Sequence, residues 1–112
     1  MKVKICGITN KEDALMACDA GADAIGIVMA PEAKARHRYV PFEEAIEIVE
    51  VIPPFVTTIG VIVNEPMEKW VQYLTYFDLI QMSGEETPED IPLGQSIIKS
   101  FAVDENFTLK NM

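Results

Sequence analysis

The chain has 112 residues, 49% of them hydrophobic, and a formal net charge of −9 at pH 7; this is enough apolar material for one core, so residues 1–112 are treated as a single domain. The acidic balance argues against nucleic acid and membrane partners, and no run approaches the ~18 consecutive apolar residues of a membrane span. The first residues lack a signal peptide's apolar segment, and two cysteines twelve positions apart, without Cys-x-x-Cys spacing or a His partner, indicate a reducing, cytoplasmic compartment.

The stretch Lys4-Ile5-Cys6-Gly7-Ile8-Thr9 carries the strongest local signal. Residues 3–5 are typical of a short buried strand. Thr9 and Glu12 have the Thr-x-x-Glu spacing of a capping box, which starts a helix directly after that strand. Cys6 therefore lies where a parallel strand ends and its loop begins, the edge at which α/β folds place their chemistry. A thiol at that edge can act as a nucleophile or as a base.

The helix predicted from this capping box is short and amphipathic. Its spacing places Ala14, Leu15 and Cys18 on one face, and Gly21 is suited to end it. We interpret Cys18 as a core residue because it lies on that apolar face. Residues 24–29 follow as an almost wholly apolar run, as expected of a strand covered on both faces.

A polar, partly basic loop is predicted next, from residue 31 to residue 38. Arg36, His37 and Arg38 stand out there because the chain is otherwise strongly acidic. Such side chains usually belong to a solvated loop, but at the carboxyl edge of a sheet they also suit an anionic ligand. The sequence leaves both interpretations open.

The rest of the chain keeps alternating helix and strand patterns. One helix is predicted from Pro41, with an apolar stripe of Phe42, Ala45, Ile46 and Val49. A second is predicted behind an Asn64 N-cap, with a core stripe of Met67, Trp70, Val71 and Leu74. Strands are predicted at residues 57–63, 79–82 and 96–103, and a helix starting at Thr87 is stopped early by Pro92 and Gly94.

Several polar residues in these elements need partners. Lys4 and Lys99 lie within predicted strands, where an unpaired charge is costly, so we expect a polar role for both. Gln81 and Ser83, at the end of the fourth strand, either face a ligand or satisfy loop backbone groups. An acidic segment without His or Cys is interpreted as a solvated face rather than a metal site: Glu85, Glu86, Glu89 and Asp90.

Five strands alternating with three helices and one stunted helix predict a parallel sheet with right-handed crossovers. Two architectures fit this pattern. One is a five-stranded open doubly wound parallel sheet of the flavodoxin type. The other is the first part of a (β/α)₈ barrel, which needs eight strands and ~250 residues. Length alone favours the open sheet.

Several short motifs, spread over nearly the whole chain, form an ordered set. They are Lys4-Ile-Cys-Gly-Ile-Thr9 with Glu12-Asp13-Ala14, Gly21-Ala-Asp-Ala-Ile-Gly26, Arg38-Tyr39-Val40, Pro53-Pro54-Phe55-Val56 with Gly60-Val-Ile-Val-Asn-Glu-Pro66, Asp78-Leu-Ile-Gln81 with Gly84-Glu85-Glu86, and Ile97-Ile98-Lys99. Together they resemble the phosphoribosylanthranilate isomerase family of tryptophan biosynthesis. The resemblance implies a (β/α)₈ TIM barrel fold, represented here by about its first five strands.

The resemblance also implies a reaction, the Amadori rearrangement of N-(5′-phosphoribosyl)anthranilate to 1-(o-carboxyphenylamino)-1-deoxyribulose 5-phosphate. A general acid protonates the ribose ring oxygen and opens the ring to a Schiff base. A general base then removes the C2′ proton, and the resulting enolamine becomes the ketone. The expected partner is thus a small phosphorylated substrate, and no metal or organic cofactor is required.

Residue by residue, the family's general base corresponds to Cys6, with Gly7 beside it in the substrate site. The family's arginine that holds the anthranilate part corresponds to Arg38, and because the preceding loop is longer than usual, Arg36 is the alternative. Gln81 and Ser83 correspond to a family Gln-Leu-His-Gly segment in which Ser83 replaces the histidine. A guanidinium suits the anthranilate carboxylate because it offers two parallel donors.

The family's general acid lies at the end of the sixth strand and its phosphate loops follow the seventh and eighth, beyond the five strands predicted here. We therefore expect the chain alone to be inactive or nearly so, and to need a complementing chain at its open strand edges. The competing hypothesis is a non-catalytic half-barrel that binds a partner or a small anion and self-associates through those edges. A receiver-like domain is set aside, because it needs acidic residues where the chain has Cys6-Gly7 and Asn64.

Overall fold

The computed structural model describes residues 1–91 and 97–101, which alternate strictly between strand and helix. The strands are β1 Lys4–Cys6, β2 Ala24–Val28, β3 Thr57–Ile62, β4 Leu79–Met82 and β5 Ile97–Lys99. The α-helices are α1 Lys11–Asp19, α2 Phe42–Val51 and α3 Met67–Tyr73. Short 3₁₀ helices span Pro31–Arg36 and Pro88–Asp90.

The five strands form one sheet in the order β1-β2-β3-β4-β5, and every neighbouring pair is parallel. A flavodoxin-type sheet has the order 2-1-3-4-5, since its chain reverses direction across the sheet after the first unit. Consecutive order is what a (β/α)₈ barrel produces. The alternative of an open doubly wound sheet is therefore wrong, and the prediction of a barrel-type parallel sheet is confirmed.

Strand register divides the sheet into two faces, because successive side chains of a strand point to opposite sides. The helix face packs against α1, α2 and α3 and supplies the largest core side chains of the sheet: Ile25, Ile27, Ile62, Ile80 and Met82. The opposite side, here called the inner face, carries Lys4, Cys6, Gly26, Val61 and Gln81. On this face the flanking β2 residues Ala24 and Val28 are only half-buried, so β2 is not covered on both sides as its sequence predicted.

The inner face is concave. The side chains of Lys4 on β1 and Gln81 on β4 form a hydrogen bond although two strands lie between them. In a flat sheet, three strand spacings would keep perpendicular side chains about 14 Å apart. The sheet therefore curves around this face, as the wall of a barrel does.

Helix α1 begins one residue later than the predicted capping box. Asn10 is the N-cap, and its side-chain Oδ1 accepts a hydrogen bond of 2.8 Å from the backbone N–H of Asp13. Thr9 and Glu12 therefore do not form the cap; the pair Asn10 and Asp13 does, with the asparagine amide also donating to the Asp13 carboxylate. Gly21, with φ of +103°, ends the helix as predicted.

Helix α3 also begins later than predicted, after Pro66 rather than at Asn64. Asn64 has φ of +50° and belongs to a turn; its Oδ1 accepts a hydrogen bond of 2.8 Å from the backbone N–H of Glu85. Within α3, Trp70 is 1% exposed, but Met67 is 49% and Val71 43% exposed. The prediction that this whole stripe is core is wrong for those two residues, because a seven-residue helix touches the sheet along one narrow line.

Other differences from the predicted elements are smaller. Leu15 of α1 is 43% exposed, whereas Ala14 beside it is fully buried and Cys18 packs at the edge of the core. In α2 the buried positions are Ala45 and Ile48, with Ile46 only half-buried. The last predicted strand, 96–103, is observed as Ile97–Lys99, and its two ends at 96 and 102–103 lie outside the described residues.

Candidate functional site

The carboxyl ends of all five strands meet at one edge of the sheet, since the strands are parallel. Cys6 is the last residue of β1 and is exposed there. The chain then turns at Gly7, whose φ of +88° is a conformation that side-chain-bearing residues rarely adopt. The backbone N–H groups of Gly7 and Ile8 both donate to the carbonyl of Gly26, at 3.1 and 3.3 Å. These bonds hold the Cys6 backbone firmly against β2.

Arg38 lies next to this turn. A Cβ placed on Gly7 would be 3.1 Å from Arg38 Cδ and 3.4 Å from its Nε, so the arginine side chain lies across the glycine. Its position is set by β2, because Val28 forms a parallel bridge with Tyr39 directly after Arg38. The structure thus brings Arg38, Gly7 and Cys6 together.

Arg36 is the last residue of the 3₁₀ helix Pro31–Arg36, and its side chain is exposed. The predicted polar loop is therefore partly helical, and it ends at His37, a left-handed residue with φ of +56°. That reversal turns the chain back toward β2 between Arg36 and Arg38. Only Arg38 is observed against the Cys6–Gly7 turn.

Gln81 and Ser83 lie on and just after β4 at the same edge. The Gln81 side chain accepts from the Lys4 ammonium and donates to Ser83 Oγ over 3.3 Å, and Ser100 Oγ donates to Ser83 Oγ over 2.9 Å. This is a chain of side-chain hydrogen bonds across the inner face, rather than the loop-backbone contacts that were one of the two predicted uses. It also supplies the polar role predicted for Lys4.

The two thiols occupy different environments. Cys6 is exposed at the strand edge, whereas Cys18 is half-buried on the sheet side of α1. Burial, followed by the negative charge of Asp19, raises the pKa of the Cys18 thiol. Cys18 is thereby held as a thiol at neutral pH and is suited to packing, as its helical position predicted.

A buried carboxylate at the same edge was missed by the sequence analysis. Glu86 accepts hydrogen bonds of 2.8 Å from the Asn64 backbone N–H and 2.9 Å from the Gly84 backbone N–H, and pairs with Lys99 Nζ at 2.9 Å. Its side chain is 4% exposed, so its assignment to a solvated acidic face is wrong. The available signal was Lys99 itself, a strand lysine that needed a partner, with an acidic segment close before it.

Opposing effects act on the Glu86 carboxyl. Burial by itself raises the pKa, but the hydrogen bonds from Lys99 and from backbone N–H groups outweigh it and leave the pKa of Glu86 below its ordinary value. The ionised carboxylate therefore ties together the loop after β3, the loop after β4 and the end of β5. This cluster shapes the rim at the carboxyl edge of β3, β4 and β5.

Parallel strands in consecutive order with helices on one face define a protein of the (β/α)-barrel class, and a thiol, an arginine and a hydrogen-bonded polar chain lie at the carboxyl edge where that class places its sites. The chain belongs to the N-(5′-phosphoribosyl)anthranilate isomerase family, whose family model matches residues 3–112.

Individual relatives agree with this assignment. The N-(5′-phosphoribosyl)anthranilate isomerase of Pelobacter propionicus is 44% identical over 115 residues, covering 100% of this chain and 54% of the relative. The crystal structure of the Thermus thermophilus enzyme matches with a TM-score of 0.82 and 38% identity, over 93% of this chain and 53% of that one.

A further solved structure, phosphoribosyl anthranilate isomerase in complex with reduced 1-(o-carboxyphenylamino)-1-deoxyribulose 5-phosphate, matches with a TM-score of 0.74 and 46% identity. The match covers 80% of this chain and 45% of that structure's chain. The chain thus spans about half the length of the relatives that it matches.

None of the helices within residues 1–91 and 97–101 is long and apolar enough to cross a membrane.

Proposed function

We propose that this chain, as one partial barrel domain, contributes the first five strands of a phosphoribosylanthranilate isomerase that carries out the Amadori rearrangement in the cytoplasm. The observation that carries the proposal is the Arg38 side chain against the Gly7 turn that directly follows Cys6, at the carboxyl edge of a barrel-type sheet. Active sites of this fold are built from that edge.

In this proposal Cys6 is the general base that removes the C2′ proton. It is supported by the exposure of the thiol, which leaves it open to substrate, and by the backbone bonds that fix its strand end. A thiolate at a fixed position within reach of the substrate carbon is a competent general base. Cys18 is excluded from this role by its place on α1.

Arg38 holds the anthranilate carboxylate. It is favoured over Arg36 because its side chain crosses Gly7, one residue from the thiol, whereas Arg36 lies beyond the left-handed reversal at His37. Gly7 leaves room for that crossing, since any Cβ would meet Arg38 at 3.1 Å. Gln81 and Ser83 border the same space from β4 and contact the substrate.

The general acid and the phosphate loops are assigned to strands six to eight of the barrel, which follow the five strands seen within residues 1–91 and 97–101. A complementing chain that carries those strands would pair with β1 and β5, the two end strands of the sheet. The resulting barrel would bind the phosphorylated substrate. Residues 1–91 and 97–101 supply the first part of that site.

The test is complementation. The chain is mixed with a polypeptide carrying strands six to eight of a homologous barrel, and turnover is followed by the loss of anthranilate fluorescence. We expect activity only in the mixture. Cys6→Ala should lower kcat by about 100-fold or more, the usual contribution of a general base, while Cys18→Ala serves as the matched control. A mixture that stays inactive although the two chains assemble, or activity that survives Cys6→Ala, would refute the proposal.

Arg38 and Arg36 are compared in the same mixture. Arg38→Met should raise KM for the anthranilate substrate by about tenfold or more, because a charge-assisted bidentate contact is lost. Arg36→Met should change KM by less than about twofold. The reverse pattern would transfer the role to Arg36.

A further inference from the structure

Gly26, at the centre of the inner face, brings two side chains of β1 together. It pairs in register with Cys6. A Cβ placed on Gly26 would lie 2.8 Å from Lys4 Cε and 3.0 Å from Cys6 Sγ. Both atoms therefore lie within 3.0 Å of one point, and the Lys4 ammonium is one bond beyond Cε. The side chains of Lys4 and Cys6 both reach the space over Gly26, a strand position that has no side chain of its own.

The Lys4 ammonium is held in place by a neutral partner. It donates to the Gln81 side-chain oxygen across the concave face, and Gln81 is in turn bonded to Ser83. Among the residues that the structure describes, the one ion pair within 4.0 Å joins Lys99 to Glu86, so no carboxylate there pairs with Lys4. Its positive charge is half-buried and remains available to a neighbouring group.

We propose that Lys4 is a positioning residue for Cys6: its ammonium, anchored by Gln81, favours the thiolate form of Cys6, and Gly26 provides the space that keeps the two together. A cation beside a thiol favours the thiolate, because it stabilises the charged form. Lys4 keeps its proton throughout; the thiolate alone accepts the proton from the substrate carbon. This inference rests on the proposed role of Cys6 as the base.

The test measures the thiolate directly and uses no substrate. In the full chain carrying Cys18→Ala, Cys6 is the sole thiol, and its second-order rate constant for alkylation by iodoacetamide is measured at pH 7. We expect Lys4→Met to lower this rate constant about three- to tenfold. Lys2→Met, which removes the same charge from an exposed position two residues earlier, is the matched control and should leave it unchanged.

Two further variants separate the charge from the packing. Lys4→Arg retains a cation and should restore most of the alkylation rate, which a purely structural role of Lys4 would not predict. Gly26→Ala should lower the rate while Lys4 is present, because the added methyl group separates the two side chains. The ultraviolet absorbance of the thiolate should follow the same order among the variants.

An alkylation rate that is unchanged in folded Lys4→Met overturns the proposal, as does an equal loss in Lys2→Met. If Lys4→Met does not fold, as judged by far-ultraviolet circular dichroism, Gly26→Ala gives the deciding rate. Because alkylation needs neither substrate nor a complementing chain, failure of the isomerase proposal would leave this result intact. Conversely, the complemented barrel could be active while the alkylation rate of Cys6 does not depend on Lys4. That result would refute only the role of Lys4.

Discussion

At Glu86 a single ionised side chain holds three segments of the rim together. Its carboxylate accepts hydrogen bonds from two backbone N–H groups and from Lys99, and only 4% of the side chain is exposed. Because its pKa in the folded chain is lower than its ordinary value of 4.5, ionisation of Glu86 stabilises the fold. That stabilisation is fully present above pH 4.5 and is lost as the pH falls through the lowered folded pKa.

Glu86→Gln should therefore lower the free energy of unfolding by about 1–3 kcal/mol at pH 7, since charge-assisted hydrogen bonds are lost. The difference from the parent chain should shrink as the pH falls from 4.5 through the lowered folded pKa of Glu86. Urea unfolding at several pH values measures both effects. Glu89→Gln, in the same acidic segment but exposed, should change stability by less than about 0.5 kcal/mol. A constant difference at all pH values would contradict this account.

The two cysteines give a second prediction at the scale of single residues. Cys6 is exposed, whereas burial and the charge of Asp19 raise the pKa of Cys18. Iodoacetamide at neutral pH should therefore modify Cys6 first, with Cys18 lagging by about tenfold or more. Peptide mapping after short exposures distinguishes the two sites. Equal rates would mean that α1 opens on the timescale of the reaction.

At the scale of elements, the stability of each helix depends on its N-cap and on a narrow line of contact with the sheet. Asn10 caps α1 through the N–H of Asp13, so Asn10→Ala should destabilise the chain by about 1 kcal/mol. Thr9→Ala, which removes the residue that the capping-box spacing favoured, should cost only a few tenths. Thermal or urea unfolding of the two variants decides between the two caps.

In α3, two residues of the same predicted apolar stripe differ in burial. Trp70 is 1% exposed and Met67 49%. Trp70→Ala should cost about 3–5 kcal/mol, because it leaves a cavity in the core, whereas Met67→Ala should cost less than about 0.5 kcal/mol. Comparable losses of unfolding free energy for both variants would mean that Met67 is buried in solution.

At the scale of the whole molecule, within residues 1–91 and 97–101 the sheet has two end strands, and apolar side chains at and just before β1 are exposed. Val3 is 43% and Ile5 39% exposed, and β1 and β5 are the end strands. Exposed strand edges bind further chains. The chain alone should therefore self-associate and bind a hydrophobic dye, and the complementing polypeptide should suppress both. Light scattering after size exclusion measures the association; a dye-free monomer would show that the edges are protected.

The sequence predicted the positions of strands and helices better than it predicted the exposure and contacts of single side chains. Apolar strand runs and helix stripes located all five strands and three helices, because burial imposes their periodicity locally. Exposure within a stripe, as at Met67, Val71 and Leu15, was not predictable, because it depends on how closely each short helix approaches the sheet. The site residues lie at strand ends, which sequence patterns locate well. The contacts of Lys4 with Gln81 and of Arg38 with Gly7 join different parts of the sheet and are not encoded in any local pattern.

By itself the sequence determined the alternation of strands and helices, the position of Cys6 at a strand end, and the family through its ordered motifs. Only the tertiary structure decided the consecutive strand order, the curvature that joins Lys4 to Gln81, the position of Arg38 across Gly7, and the burial of Glu86 against Lys99. The physical reason is the range of the interactions. Periodicity and capping act over a few residues, whereas these contacts join groups that are distant in sequence and meet only when the sheet is assembled.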